Sequence, residues 1–174
     1  MDTMLYSRLQ VRCSTYERLL HVFTDLSNRG RIFQDVLDIA DDAVPSEAAS
    51  LLLVTGEDGE MTFVAATGPV AEKIKGMKLK AGIGIAGACA RDRAPIAVSD
   101  VQKEPRFARE VSKALGFETR SLLAVPVIYR GQLAGVMELV NKRGADDWTR
   151  WDIELLDRVA RVTGTLVNLL GERP

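Results

Sequence analysis

Leu122-Leu123-Ala124-Val125-Pro126-Val127-Ile128-Tyr129 and Leu133-Ala134-Gly135-Val136-Met137-Glu138-Leu139-Val140 are two runs separated only by Arg130-Gly131-Gln132. β-Branched and aliphatic residues on both sides of a short glycine-bearing turn predict a β-hairpin. Pro126 has no amide hydrogen to give to a ladder, so it is expected to mark an edge or a bulge. Further back, Leu51 to Val54 reads as a buried strand. Glu57-Asp58-Gly59 supplies a turn, and the alternation of Met61, Phe63 and Ala65 predicts a returning strand, hence a second hairpin.

Outside these hairpins the apolar period lengthens. Leu5, Leu9, Arg12, Tyr16, Leu19, Phe23 and Leu26 step by fours and threes, the seam of a long amphipathic helix that Asn28-Arg29-Gly30 ends. Ile32, Phe33, Val36, Leu37 and Ala40 predict a second helix, stopped by Pro45. Thr149 and Asp152 have capping-box spacing ahead of Leu155, Val159, Val162, Leu166 and Leu169, a third. Helices bracketing a strand-rich centre argue for an α+β architecture with an antiparallel sheet.

Composition narrows the function. The 174 residues suffice for one substantial core, and 47% hydrophobic with 27% charged residues is ordinary for a globular chain. The 23 basic and 24 acidic residues nearly cancel without a long run of one sign, so neither nucleic acid nor a membrane is an expected partner. Met1-Asp2-Thr3-Met4 begins no signal sequence, and runs such as Leu51 to Val54 are too short to span a bilayer; a cytoplasmic location is expected. Cys13 and Cys89 make neither a disulfide framework nor a four-thiolate zinc site. The single histidine, His21, lies among Leu19, Leu20, Val22 and Phe23, and is read as a partly buried structural residue and not as a catalytic base or metal ligand. No cofactor, metal or catalysis is expected.

The least regular stretch, Gly68 to Thr119, holds six of the fourteen glycines together with Pro69, Pro95 and Pro105. Long irregular segments of compact domains commonly serve as binding loops or lids, so a site is expected here. Gly82, Gly84 and Gly87 match a dinucleotide fingerprint, with Asp100 where a ribose-binding acid would stand. That fingerprint needs a buried parallel strand before it and a full crossover helix after it. Lys75 to Lys80 is amphipathic, and Pro95 cuts the helix short, so the dinucleotide reading is set aside. What survives is close backbone approach and free amides near Ile85 and Ala86, against the alternative of a tight turn holding nothing.

Gly84-Ile85-Ala86-Gly87 opening a short helix, Ala94-Pro95-Ile96 running as a strand to Asp100, and the turn Glu104-Pro105-Arg106-Phe107 follow one another. Gly116 to Leu123, Pro126-Val127 and Gly135 to Lys142 come next. In order and spacing this segment resembles the GAF family, and the outer helices and first hairpin extend the likeness over nearly the whole chain. The resemblance implies a GAF/PAS-like fold. Five to six antiparallel strands would carry the terminal helices on one face, with short helices and loops covering a pocket on the other. It implies one domain over residues 1–174, with an N-terminal helix (1–29) suited to dimerisation and signalling, a core (30–147) and a C-terminal helix (148–174).

Within the family the pattern is most similar to the cyclic-nucleotide-binding domains of phosphodiesterases and adenylyl cyclases. By position, Ile85 and Ala86 match backbone contacts, Thr119 a ligand-contacting threonine, and Glu138 a pocket-floor acid. Ala108, Ser112 and Leu115 fall where that subgroup places aromatic, acidic and hydroxyl partners of the base and phosphate. With Gly84, Asp100 and Phe107 they complete the candidate ligand contacts. Lys142 and Asp152 match a pair that ties the hairpin to the last helix, read as scaffold. Bilin-bearing members need a cysteine beside a histidine, and the methionine-sulfoxide-reducing members two neighbouring cysteines; Cys89 has neither close in sequence. The implied function is a sensory and regulatory domain of a bacterial-type signalling protein, binding a cyclic nucleotide or another small metabolite and dimerising through its terminal helices. The alternative is a dimerisation scaffold with a vestigial pocket.

Overall fold

Residues 3–144 and 147–171 are described by a computed structural model. Residues 1, 2, 145, 146 and 172–174, at the expected ends of the chain and of the core segment, lie outside the described residues. The order of elements is α1 (Thr3–Thr24), α2 (Arg29–Ala43), β1 (Ser46–Val54), β2 (Met61–Ala66), α3 (Ala71–Ile74), β3 (Lys78–Leu79), α4 (Gly84–Asp92), β4 (Ile96–Val98), a 3-10 turn (Val101–Lys103), α5 (Arg109–Leu115), β5 (Leu122–Tyr129), β6 (Gln132–Lys142) and α6 (Arg150–Leu170). Six strands form one sheet in the order β3-β2-β1-β6-β5-β4, and every neighbouring pair is antiparallel.

The two hairpins meet through β1 and β6, whose register sets Ser50 against Glu138 and Leu51 against Met137. Because strand side chains alternate between faces, this register sorts the central residues into two cores. Leu51, Leu53, Leu123, Val125, Met137 and Leu139 pack with α2 and α6 on one face. Leu52, Phe63, Leu122, Ala124 and Val136 pack with Ile85, Ala86 and Cys89 of α4 on the other. Pro126 lies past the end of β4, where β5 has no partner strand on that side among the described residues, and the register shifts one residue later, between Val127 and Ile128. Edge and bulge are both used.

α6 approaches β5 so closely that a Cβ on Gly164 would lie 2.6 Å from the Ile128 carbonyl oxygen. Gly164→Ala is therefore expected to push helix and strand apart at a cost of about 1–3 kcal/mol, read from the urea midpoint.

α1 follows its expected seam only in its second half. It packs chiefly on α2 and α6, and buries Thr15, Leu19 and Val22. Of the anticipated seam Leu19 is buried, and Tyr16, Phe23 and Leu26 are partly buried against the same core, whereas Leu5 and Leu9 are 57% and 48% exposed. The helix also stops at Thr24, short of Leu26, where the Asp25 carboxylate accepts from the Ser27 amide at 3.0 Å and turns the chain. An apolar stripe that joins the seam's Leu9 to Tyr6, Cys13 and Leu20 is left exposed. His21 is exposed as well, which corrects the expectation of partial burial: its apolar neighbours in sequence point to other sides of the helix.

Candidate functional site

On the sheet face opposite α1 and α6, a hollow of about 110 Å³ lies between the strands and a roof made by α3, α4 and α5. Its floor comes from alternate residues of β1, β2, β5 and β6: Ala48, Ser50, Phe63, Leu122, Glu138 and Val140. Sequence reading did not find Ser50 or Phe63. They became floor residues through strand register, and only the Ser50 position opposite Glu138 reveals the link.

Glu138 is 8% exposed. One carboxylate oxygen, Oε2, accepts from the Ser50 hydroxyl at 3.1 Å, and the other has no hydrogen-bond partner among the described residues. Burial pushes its pKa up from the usual carboxylate range to about 7, and the Ser50 bond opposes that shift. Among the described residues no Lys, Arg or His lines the hollow. The titratable neighbour on the roof side is Cys89, fully buried on α4, whose thiol is pushed up to about 12, first by burial and then by the Glu138 charge. It stays neutral at physiological pH.

The roof begins with two glycines in the left-handed region, Gly82 (φ 75°) and Gly84 (φ 71°), and with Gly87, whose Cβ would lie 2.4 Å from the Gly82 carbonyl carbon. The glycine spacing is thus explained by two turns and a close approach of backbone to backbone. Ahead of it stands β3, two residues long and antiparallel to β2, not the buried parallel strand that a dinucleotide fold requires. The first intrahelical amide of α4 to find an acceptor is that of Gly87, on Ile83 at 3.0 Å. No side chain caps the helix. The amides of Gly84, Ile85 and Ala86 are left at the rim of the hollow, which all three residues line.

Phe107 is delivered by a braced turn. The Glu104 carboxylate accepts from the Arg106 amide at 3.0 Å and from its guanidinium at 2.7 and 2.8 Å. Those bonds hold its pKa down at about 2. Ala108, Ser112 and Leu115 of α5 and its N-terminal flank complete that wall with Phe117. The Ser112 hydroxyl donates to the Phe117 carbonyl at 2.7 Å, so it closes the end of α5. Phe107, Leu115 and Phe117 narrow the hollow without plugging it.

Thr119, 8% exposed, reaches the hollow from a segment held by Asn141. Asn141 is 1% exposed at φ 57°. Its Oδ1 accepts from the amides of Arg120 (2.7 Å) and Ser121 (3.2 Å), while its Nδ2 donates to the Glu118 carbonyl (2.8 Å) and to Glu47 (2.7 Å). Sequence reading noted Asn141 only beside Lys142 and missed this role; a side-chain amide able to serve two donors and two acceptors in a left-handed residue was the available signal.

The structure therefore gathers nine of the ten candidate residues, Gly84, Ile85, Ala86, Phe107, Ala108, Ser112, Leu115, Thr119 and Glu138, around one hollow. Asp100 is the exception and is corrected. It is exposed, accepts from the Gln102 amide at 3.0 Å as cap of the 3-10 turn, and pairs with Lys103 at 2.9 Å. Its job is local turn chemistry.

Among known structures, the GAF domain of a phosphoenolpyruvate-protein phosphotransferase (ptsP) from Coxiella burnetii shares this fold. Its TM-score is 0.82 at 20% identity, over 99% of this chain and 98% of that one. A probable 3',5'-cyclic phosphodiesterase, pde-5, of Caenorhabditis elegans is 26% identical over 156 residues, 84% of this chain and 21% of the relative. A cGMP-specific 3',5'-cyclic phosphodiesterase of Drosophila melanogaster is 32% identical over 85 residues, 48% of this chain and 8% of that protein. The chain thus spans about a fifth or less of the length of these relatives. The GAF domain model matches residues 28–167, from the turn before α2 to the last turn of α6, and the chain belongs to the GAF domain family.

Proposed function

We propose that this domain is a small-molecule sensor of a cytoplasmic signalling protein, whose ligand enters between the sheet and the roof and reorders the roof against the floor. The observation that carries the reading is the hollow itself, with a nearly buried carboxyl on its floor that keeps one oxygen free of protein partners. No buried side-chain oxygen or nitrogen among the described residues lacks a partner, so this oxygen is open to the hollow, where a ligand donor can reach it. A cyclic nucleotide, suggested by the phosphodiesterase relatives, is one ligand class. It requires widening, because 110 Å³ falls short of the ~300–1,000 Å³ usual for ligand pockets. The roof, built from α3, α4 and α5 of four to nine residues each, is the part able to move.

A ligand can signal only through its preference for one of two states. α1 and α6 are proposed to pass that bias on, with α1 pairing to a second copy along its exposed stripe. That stripe also favours the second reading, a dimerisation scaffold with an unused pocket. Thiol redox catalysis is disfavoured, since Cys89 is buried and neutral and Cys13 belongs to the helical layer on the opposite face of the sheet.

Thermal shift against cyclic nucleotides, other nucleotides, amino acids and 2-oxo acids separates the readings. A ligand that raises Tm in wild type, with the rise lost in Thr119→Val, is the expected result. No response from any class, alongside a tight dimer in sedimentation, would leave only the scaffold.

A further inference from the structure

The hollow has two polar ends of opposite character in an otherwise apolar lining. At the floor stands an acceptor, the partner-free oxygen of Glu138. At the rim stand donors, the amides of Gly84, Ile85 and Ala86, where the positive end of the α4 dipole lies. An anion-only ligand such as a phosphate suits the amides but sets like charge near Glu138, with no Lys, Arg or His among the described lining residues to offset it. A purely apolar ligand leaves both ends unsatisfied.

We infer that the pocket takes a small amino-carboxylate zwitterion, its ammonium on the Glu138 carboxylate and its carboxylate on the amides that open α4. This rests on the sensing function proposed above and names the ligand class of that same site. Size agrees: 110 Å³ is somewhat below the ~150 Å³ cavity known to admit benzene, which suits an amino acid with few side-chain atoms. Those atoms would meet Phe63, Leu79 and Phe107.

The charge of the floor then controls affinity. In the empty pocket Glu138 is protonated below about pH 7, and an ammonium ligand displaces that proton to solvent. Two groups bear on this titration. Ser50, on β1, donates to the carboxylate and is not itself ionisable in this range. Cys89, on α4, stays neutral. Since the ammonium and carboxylate of the ligand keep their charges between pH 6 and pH 8, the affinity should rise about tenfold across that interval through Glu138 alone.

The test is calorimetric titration at pH 6 and pH 8 with alanine, valine, β-alanine and γ-aminobutyrate. Propionate and ethylamine serve as halves of the zwitterion, and cGMP as an unrelated ligand. Expected are binding by at least one amino acid, weaker binding by either half, an affinity about tenfold higher at pH 8, and loss of that slope in Glu138→Gln. Propionate binding as well as the amino acids, or affinity falling with pH, overturns the inference. If no amino acid binds at millimolar concentration while cGMP does, the zwitterion is wrong and the sensor reading stands. If nothing in this series or in the wider thermal-shift panel binds, both fall.

Discussion

Glu138→Gln is expected to stabilise the ligand-free domain by about 3 kcal/mol at pH 8 and to leave it nearly unchanged at pH 4.5. The sign follows from which state holds the proton. In the unfolded chain the carboxyl ionises near 4.5, and in the folded one near 7. Between those values the folded state binds the extra proton, so wild-type stability falls as pH rises through that window and levels off above it. That separation, at ~1.4 kcal/mol for each tenfold change in proton affinity, gives the total. Gln has the same shape, can still meet the Ser50 hydroxyl, and has no charge to bury. For a domain of this size the alkaline difference is about 6–12 °C in Tm. Urea unfolding of both proteins across pH 4.5 to 8 checks it, and parallel stability curves would show that the floor acid does not carry a buried charge. A group that weakens the fold at neutral pH is the kind of residue kept for function and not for packing.

The parts of the fold that could be read in advance are those encoded locally. The hairpin of β5 and β6 is written in two apolar runs around Gly131, and the start of α6 in the spacing of Thr149 and Asp152, where both halves of the capping box form. The roof was legible because its glycines, its Pro105-Arg106-Phe107 turn and its Thr119 lie in sequence motifs. The floor was only half legible. Glu138 could be named, but Ser50 and Phe63 needed the register of strands far apart in the chain, and a slip of one residue would have sent them to the other core. Asn141 stayed hidden for the same reason, its four bonds joining segments up to 94 positions away. Where sequence proximity misled, as with Asp100 and His21, a residue's neighbours in the chain were not its neighbours in space. The α1 seam was legible in its second half, where Tyr16, Leu19 and Phe23 meet the core, but periodicity does not say where along the helix that cover ends, and Leu5 and Leu9 stay exposed.

Asp152→Ala is expected to cost about 3–5 kcal/mol, the other large effect. Lys142 ends β6 and Asp152 sits in the first turn of α6, with both side chains 11% exposed. The Asp152 Oδ2 accepts from the Lys142 ammonium, from the Thr149 amide at 2.7 Å and from the Thr149 hydroxyl at 2.8 Å. Removing it leaves a nearly buried ammonium with the Asp147 carbonyl, at 2.8 Å, as its remaining hydrogen-bond partner among the described residues and opens the cap of α6. Lys142→Met should be milder, because the carboxylate keeps both Thr149 bonds. The double variant Lys142→Met with Asp152→Leu should recover part of the loss, as replacing a buried pair by apolar groups often does. Neither residue lines the hollow, so a ligand found for the wild type should bind Lys142→Met with unchanged affinity while its unfolding midpoint drops. Loss of binding without loss of stability would move the pair from scaffold to ligand contact. A cost for Asp152→Ala below about 1 kcal/mol would mean that water reaches the pair and that β6, with Glu138 on it, is not anchored to α6 in this way.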